Sequence, residues 1–308
     1  MKRSVLVTGT STGIGSACVR RLATEGWTVF AGVRRHTDGE RLVSEVAGDV
    51  RPVLLDVTNR EQIGRAVAEV GDATGGGLDG LVNNAGIAFT GPVEHVPLPD
   101  WRWQFEVNLF GMIALTQAAF DLIRVQGGRF VYIGSQAGRF SPPGMAPYAA
   151  SKHALEALCE SMRHELRATP IHVCLIEPGN VKTPIWNKAT EELQRIETML
   201  AGDDHEDYAL VAPALAGLAQ EGAARGVAPS KVAAKVEHAL TAARPRARYL
   251  VGADAKVVGN VLTRLPDLAR DRVVSALTRR AARLGTDRNT EQDPGPQDSG
   301  PDRAKQSM

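Results

Sequence analysis

The chain has 308 residues, a formal net charge of +1, 43% apolar and 23% charged residues, ordinary values for a globular protein of one or two domains. A near-neutral charge and only 5% aromatic residues give no footing for a nucleic-acid partner, by either electrostatics or base stacking. Cys18, Cys159 and Cys174 are odd in number and widely spaced, and no histidine pair has an HExxH spacing, which argues against a disulfide framework and against a metal site.

In chain order, Lys2-Arg3 could open a secretion signal, but the apolar run Val5-Leu6-Val7 is too short for one. Residues 4–8 instead predict a buried strand, followed by a helix over 15–24. Further strands are predicted at 28–33, 53–57, 78–83, 129–134 and 171–177, with helices over 61–70, 104–123 and 148–167 between them. Residues 183–247 form a long insertion, helical by pattern, before a short strand at 248–252. Residues 255–284 are basic and amphipathic. Such a stretch packs on its own domain or on a second subunit more often than on an anionic membrane surface. After Gly285 almost nothing is apolar, so 285–308 is expected to be a disordered tail. No apolar run reaches the roughly 18 residues of a spanning helix. The cytoplasm is the default location, with free buried thiols.

Continuous apolar strands alternating with helices imply a parallel sheet covered on both faces. Right-handed crossovers make it a doubly wound, three-layer α/β/α sheet of Rossmann type, with one domain over 1–284.

The first strand runs into Thr8-Gly9-Thr10-Ser11-Thr12-Gly13-Ile14-Gly15 and then into a helix. Glycines there let the backbone approach a pyrophosphate, and the helix N-terminus offers it N–H groups and a positive dipole end. The second strand ends in Val33-Arg34-Arg35 with no carboxylate. Guanidiniums favour a 2′-phosphate and hence NADP(H), with Ser11 as a further hydroxyl. Thr12, where a basic residue would also serve, keeps NAD(H) open. Asp56, with Val57 beside it, would accept the adenine amino group or cap the next helix, a role Thr58 or Asn59 also fits. Asn83-Asn84-Ala85-Gly86 closes the fourth strand with small residues that allow close approach and amides that can tie strands together.

Tyr148 and Lys152 stand at i and i+4 of a predicted helix, on one face. An ammonium beside the phenol would favour phenolate and make Tyr148 an acid/base near neutral pH. Ser135, at the carboxyl edge of the fifth strand, is placed to bond the substrate oxygen.

Taken together, TGTSTGIG, NNAG, Asn108, Ser135, YAASK and Pro178-Gly179 resemble the short-chain dehydrogenase/reductase family in order and approximate spacing, over residues 1 to about 185. The resemblance implies that Tyr148 donates or accepts the proton and that Lys152 lowers its pKa and holds the nicotinamide ribose. It also implies that Ser135 orients the reacting oxygen and that Asn108 holds a water in the proton relay. Gly9, Ser11, Thr12, Gly13, Ile14, Gly15, Arg34, Asp56, Val57, Asn83, Ala85 and Gly86 would contact the dinucleotide, and Pro178, Gly179, Val181 and Thr183 would seat its carboxamide. A seven-stranded sheet of order 3-2-1-4-5-6-7 and a homodimer or homotetramer are implied as well. VFAGVRR and the insertion are similar to the hydroxysteroid and retinol dehydrogenase branch.

Phe89, Phe140, Met145 and Trp186 are candidate substrate-lining residues. Their apolar character predicts a hydrophobic secondary alcohol or ketone, although such residues also simply pack loops. A 3-oxoacyl carrier-protein reductase is the alternative enzyme, and a non-catalytic dinucleotide-binding regulator the alternative of another class. The intact Asn108, Ser135, Tyr148 and Lys152 argue against the regulator.

Overall fold

The computed structural model describes residues 2–183, 194–196, 198 and 208–292, of which 287–292 by backbone alone. The strands are β1 (Ser4–Val7), β2 (Thr28–Val33), β3 (Asp49–Leu54), β4 (Gly80–Asn83), β5 (Arg129–Ile133), β6 (His172–Pro178) and β7 (Arg248–Val251). They form one seven-stranded sheet, parallel throughout, in the order β3-β2-β1-β4-β5-β6-β7. The helices are α1 (Gly13–Thr24), α2 (His36–Glu45), α3 (Arg60–Thr74), α4 (Leu98–Phe105), α5 (Gly111–Gln126), α6 (Ala146–Glu165), α7 (Val211–Arg225), α8 (Pro229–Thr241), α9 (Ala253–Asn260) and α10 (Asp267–Gln292).

Successive strand side chains alternate between faces, and here both faces are apolar. Val5, Val7, Val29, Ala31, Val131 and Ile176 meet α1 and α8 through Cys18, Leu22, Val232 and Val236. Leu6, Phe30, Leu81, Phe130, Tyr132 and Leu175 meet α3, α5 and α6 through Ile63, Met112, Leu115, Leu155 and Cys159. Each such fully buried side chain contributes about 1.5–3 kcal/mol of transfer free energy. That double coverage is why the strands read as unbroken apolar runs.

The third strand begins earlier than its predicted span of 53–57. Asp49–Leu54 is the edge strand, and its exposed Arg51 and Pro52 have no apolar signature. An edge position tolerates the proline. Helix α2 was not predicted. It is short and contains Gly39, where an added Cβ would lie 2.6 Å from Pro52 of β3.

One stretch has the length and mean hydropathy of a membrane-crossing helix, although it holds no unbroken apolar run. Leu98–Gln126 passes by length and composition, with half of its most apolar window buried in the protein. Met112, Leu115, Ala119 and Ile123 pack on the sheet, so the stretch serves as a core helix.

The basic stretch folds back on its own domain. Ala281 and Ala282 of α10 pack on Ala214 and Leu218 of α7. The approach is close because glycine lines it: a Cβ on Gly217 would lie 1.9 Å from the Ala281 carbonyl oxygen, and one on Gly285 2.1 Å from that of Pro213. Helix α10 therefore runs through Gly285 to Gln292, past the point where disorder was expected to begin. Residues 293–308 lie outside the described residues. Gly217→Ala is expected to cost about 1–3 kcal/mol at this contact, lowering the melting temperature by a few degrees and speeding tryptic cleavage at Arg272 and Arg279. Unchanged melting and cleavage would show that the contact contributes nothing.

Candidate active site

The carboxyl ends of β1 and β4 are tied together. The Thr8 hydroxyl accepts from the main-chain N–H groups of Asn84 and Ala85, both at 2.9 Å. The Asn84 amide donates to the carbonyls of Thr8 at 2.8 Å and Gly9 at 3.0 Å. Gly9 has φ +65, and a Cβ there would lie 2.9 Å from Ala85 Cα. A Cβ on Gly15 would lie 2.2 Å from the Gly9 oxygen, so α1 begins hard against the turn. Gly13 has φ +60 and approaches the Thr183 methyl, which brings Thr183 over the same turn. Thr12 is the N-cap of α1 with no side-chain capping bond, and no acid lies in the first turn. The helix thus keeps free N–H donors and an uncompensated positive end, as an anion site requires. Ser11 is half-buried beside it, and Ile14 packs on the core. A cradle that Cβ atoms would fill, at an uncapped helix start, fits a dinucleotide pyrophosphate.

Beyond β2 the arginine pair divides. Arg35 is held by Asp38 at 3.0 Å, whereas Arg34 is exposed and makes no ion pair among the described residues. Arg41, on the unpredicted α2, also contacts Asp38 at 3.3 Å and donates to the Ser11 carbonyl at 2.7 Å. Arg34 is therefore the guanidinium at this end of the cradle without an ion pair among the described residues, and Arg41 is fixed beside it by Asp38 and the Ser11 carbonyl. Asp56 accepts from the N–H and hydroxyl of Thr58 at 3.0 and 2.8 Å, while Asn59 is the N-cap of α3. Val57 is buried against Gly111, where a Cβ would lie 2.7 Å from its carbonyl. Asn83 turns away from the cleft: its side chain is fully buried and donates to Thr116 at 3.2 Å. The amide at the cradle is that of Asn84. Gly86 lies against Asn108, its Cβ direction 3.3 Å from Asn108 Oδ1.

The reacting side chains come from β5 and α6. Ser135 stands two residues beyond β5 and caps the turn that follows, its Oγ accepting from Ala137 N–H at 3.1 Å. The Ser135 side chain lies beside the Tyr148 phenol and favours its ionised form. Lys152 is buried and donates to the Ile133 carbonyl at 2.9 Å, its Nζ 5.8 Å from the Tyr148 ring centre. Burial pushes the phenol up, with Ser135 opposing, and burial lowers Lys152 to about 8.

Asn108 sits in a π-helical turn, Glu106–Phe110, between α4 and α5. Its amide donates to the Ile87 carbonyl at 3.0 Å and to Ser151 Oγ at 3.2 Å, and accepts from Ile87 N–H at 2.9 Å. Both donor hydrogens are engaged, so the side chain acts as a clamp between the loop after β4 and α6.

On the far side, Pro178 and Gly179 leave β6. A Cβ on Gly179 would lie 2.1 Å from an Asp254 carboxylate oxygen, and Asp254 accepts from Asn180 N–H at 2.6 Å. Sequence reasoning missed Asp254, whose only signal is an acid in the first turn of α9. Val181 bridges Val227 and buries its side chain in the core, so its side chain does not face the carboxamide seat. Phe89, Phe140 and Met145 are half-buried on two loops joined by the Gly91 N–H to Gly144 carbonyl bond of 2.7 Å. Val211 and Leu215 of α7 close on Gly144. Arg195, unforeseen here, lies 5.8 Å from the Phe89 ring and pairs with Asp100 at 2.8 Å. Trp186 lies outside the described residues.

Residues 3–194 match the family model for short chain dehydrogenases. The chain is 33% identical to an NADPH-dependent 3-dehydrocapnine reductase of Ornithobacterium rhinotracheale, over 88% of this chain and 95% of that one. It is 35% identical to retinol dehydrogenase 7 of Rattus norvegicus, over 88% and 87%. A short chain dehydrogenase/reductase from Burkholderia phymatum, solved in complex with NAD, superposes with a TM-score of 0.71 at 26% identity, covering 86% of this chain and 92% of that one. With its seven-stranded sheet, its cradle and these relatives, the chain belongs to the short-chain dehydrogenase/reductase family and is an NAD(P)-dependent oxidoreductase acting on CH–OH groups.

Proposed function

We propose that the protein interconverts a hydrophobic secondary alcohol and its ketone, using NADP(H) in preference to NAD(H). The observation that carries this is the convergence of Ser135, Tyr148 and Lys152 at the carboxyl edge of the sheet that bears the cradle. Gly9, Ser11, Gly13 and the start of α1 would hold the pyrophosphate, with Arg34 and Arg41 at the 2′-phosphate. The dinucleotide supplies or takes the hydride. Tyr148 passes its hydroxyl proton to the ketone oxygen in one direction and takes it from the alcohol in the other, with the Ser135 hydroxyl bonding the same oxygen. Burial of the phenol favours its protonated form, suited to donation.

Phe89, Phe140 and Met145, roofed by Val211 and Leu215, support an apolar substrate of steroid or retinoid type. The retinol dehydrogenase and NADPH-dependent reductase among the relatives support the same reading. A homodimer or homotetramer belongs to it, supported by Trp103 and Phe110, which stay about half exposed on the Leu98–Gln126 helix. A reducing cytoplasm suits the buried free thiols, with Cys18 pushed up to about 12 and Cys174 to about 11 by burial.

Tyr148→Phe is expected to cut turnover of lipophilic ketones by about 10²–10⁴-fold while NADPH still binds, as followed by nicotinamide fluorescence. Full activity in that variant would sink the mechanism. Arg34→Asp should shift preference from NADPH towards NADH by about tenfold or more, the loss of one charge-assisted bond. An unchanged ratio of affinities would show that Arg34 does not read the phosphate.

A further inference from the structure

Behind the reacting side chains, on the α6 face of the sheet, lies buried charge that the proposed reaction does not use. Glu177 of β6 has no exposed surface, and neither of its carboxylate oxygens has a hydrogen-bond donor among the described residues. Its attractions are looser: Arg248 Nε lies 3.4 Å from Oε1 and Arg139 Nη1 3.8 Å from Oε2. Arg248 gives its close hydrogen bond to Glu156 Oε2, at 3.0 Å, and approaches Glu160 at 3.5 Å. Glu156 stands one turn beyond Lys152 on α6, and its Oε1 is likewise buried without a donor. One atom, Arg248 Nε, thus lies against both carboxyl groups, 3.0 Å from Glu156 and 3.4 Å from Glu177, which places the two acids side by side.

The groups facing Glu177 are therefore Arg139 from the turn after β5, Glu156 with Glu160 beyond it from α6, and Arg248 from β7. Helix α9 backs Arg139 through Gly259, where a Cβ would lie 3.1 Å from Arg139 Nη1, and its acid Asp254 is committed to Asn180. If both carboxyls were ionised, acceptor would face acceptor, with like charges in a low-dielectric interior. One proton between them satisfies an orphaned oxygen on each side and removes the repulsion.

We propose that Glu177 and Glu156 share one proton, Glu177 donating to Glu156 Oε1, and that this pair, closed by Arg139 and Arg248, positions the Ser135 turn and α6 on the end of β6. The cluster touches three arms of the site. Arg139 follows the Gln136–Gly138 turn that Ser135 caps. A Cβ on Gly138 would lie 2.9 Å from the Lys152 carbonyl and 3.2 Å from Glu156 Cγ. Glu177 precedes Pro178-Gly179. Burial, then Glu156, raises the Glu177 carboxyl to about 7 against the pull of Arg139 and Arg248. The positioning role rests on the functional reading of Ser135 and Lys152, whereas the shared proton does not.

The folded chain then holds a proton that the unfolded chain has released between about pH 4.5 and 7. Its stabilisation is complete below that window and is lost as pH rises through it. Infrared spectra of the full chain from about pH 5 to about pH 9 should show a protonated-carboxyl C=O band that titrates near pH 7 and is absent from Glu177→Gln. That variant, a permanent donor, should melt with the wild type at low pH and on the order of 5 °C above it near pH 8. No band, a band unaltered in Glu177→Gln, or a melting difference flat in pH would overturn the shared proton. Should Glu177→Gln fail to fold, Glu156→Gln should move the band's midpoint down towards the ordinary carboxyl range, and an unmoved midpoint overturns the pairing. For positioning, NADPH titrated near pH 8 should bind Glu177→Gln as it binds the wild type and Glu177→Leu about tenfold more weakly, equivalent to one lost hydrogen bond. Equal binding by Glu177→Leu would remove that role.

Discussion

The site depends on the tie between β1 and β4 made by one buried hydroxyl. Thr8 accepts two main-chain N–H groups from the loop after β4, and Asn84 returns its amide to the β1 turn. This is where the strand order reverses, since β2 and β3 lie to one side of β1 and β4 to β7 to the other. A doubly wound sheet opens its binding crevice at such a point. The two turns are locked to each other with glycine between them, so the cradle keeps its shape without a ligand to brace it.

The acid/base pair shows how burial divides two groups of opposite charge type. Tyr148 is pushed towards its neutral acid and Lys152 towards its neutral amine. In a low-dielectric site each uncharged form is the cheaper one. Any positive charge brought beside the phenol pulls it back down, so the phenol is a proton donor by default and a base only in positively charged company. Lys152 meanwhile holds the end of β5 through Ile133.

Much of this was legible in the sequence because its causes are local. The glycine turn, the i,i+4 placement of Tyr148 and Lys152, and the doubly buried strands each follow from backbone geometry and period. The features that escaped are set by tertiary neighbours. The edge strand β3 carries Arg51 and Pro52 where an apolar run was sought, and α2 hides behind Gly39, whose purpose is contact with Pro52. Arg41 and Asp254 act on partners 30 and 74 positions away. Asn83 and Asn84 are neighbours in sequence, and only the pleat of β4 decides which of them faces the core. The helix through Leu98–Gln126 spends on the sheet an apolar content that by composition alone would also suit a bilayer.

The docking of α10 on α7 reaches further than the contact itself. Helix α7 carries Gly217 against α10 on one side and Val211 and Leu215 against Gly144 on the other. Gly144 in turn is bonded to Gly91 in the loop bearing Phe89. The C-terminal helix is thus the outer buttress of an arch whose keystone is Gly144. Evolution can reshape the opening above Tyr148 by altering the foot of that arch, leaving every residue that meets the substrate as it is.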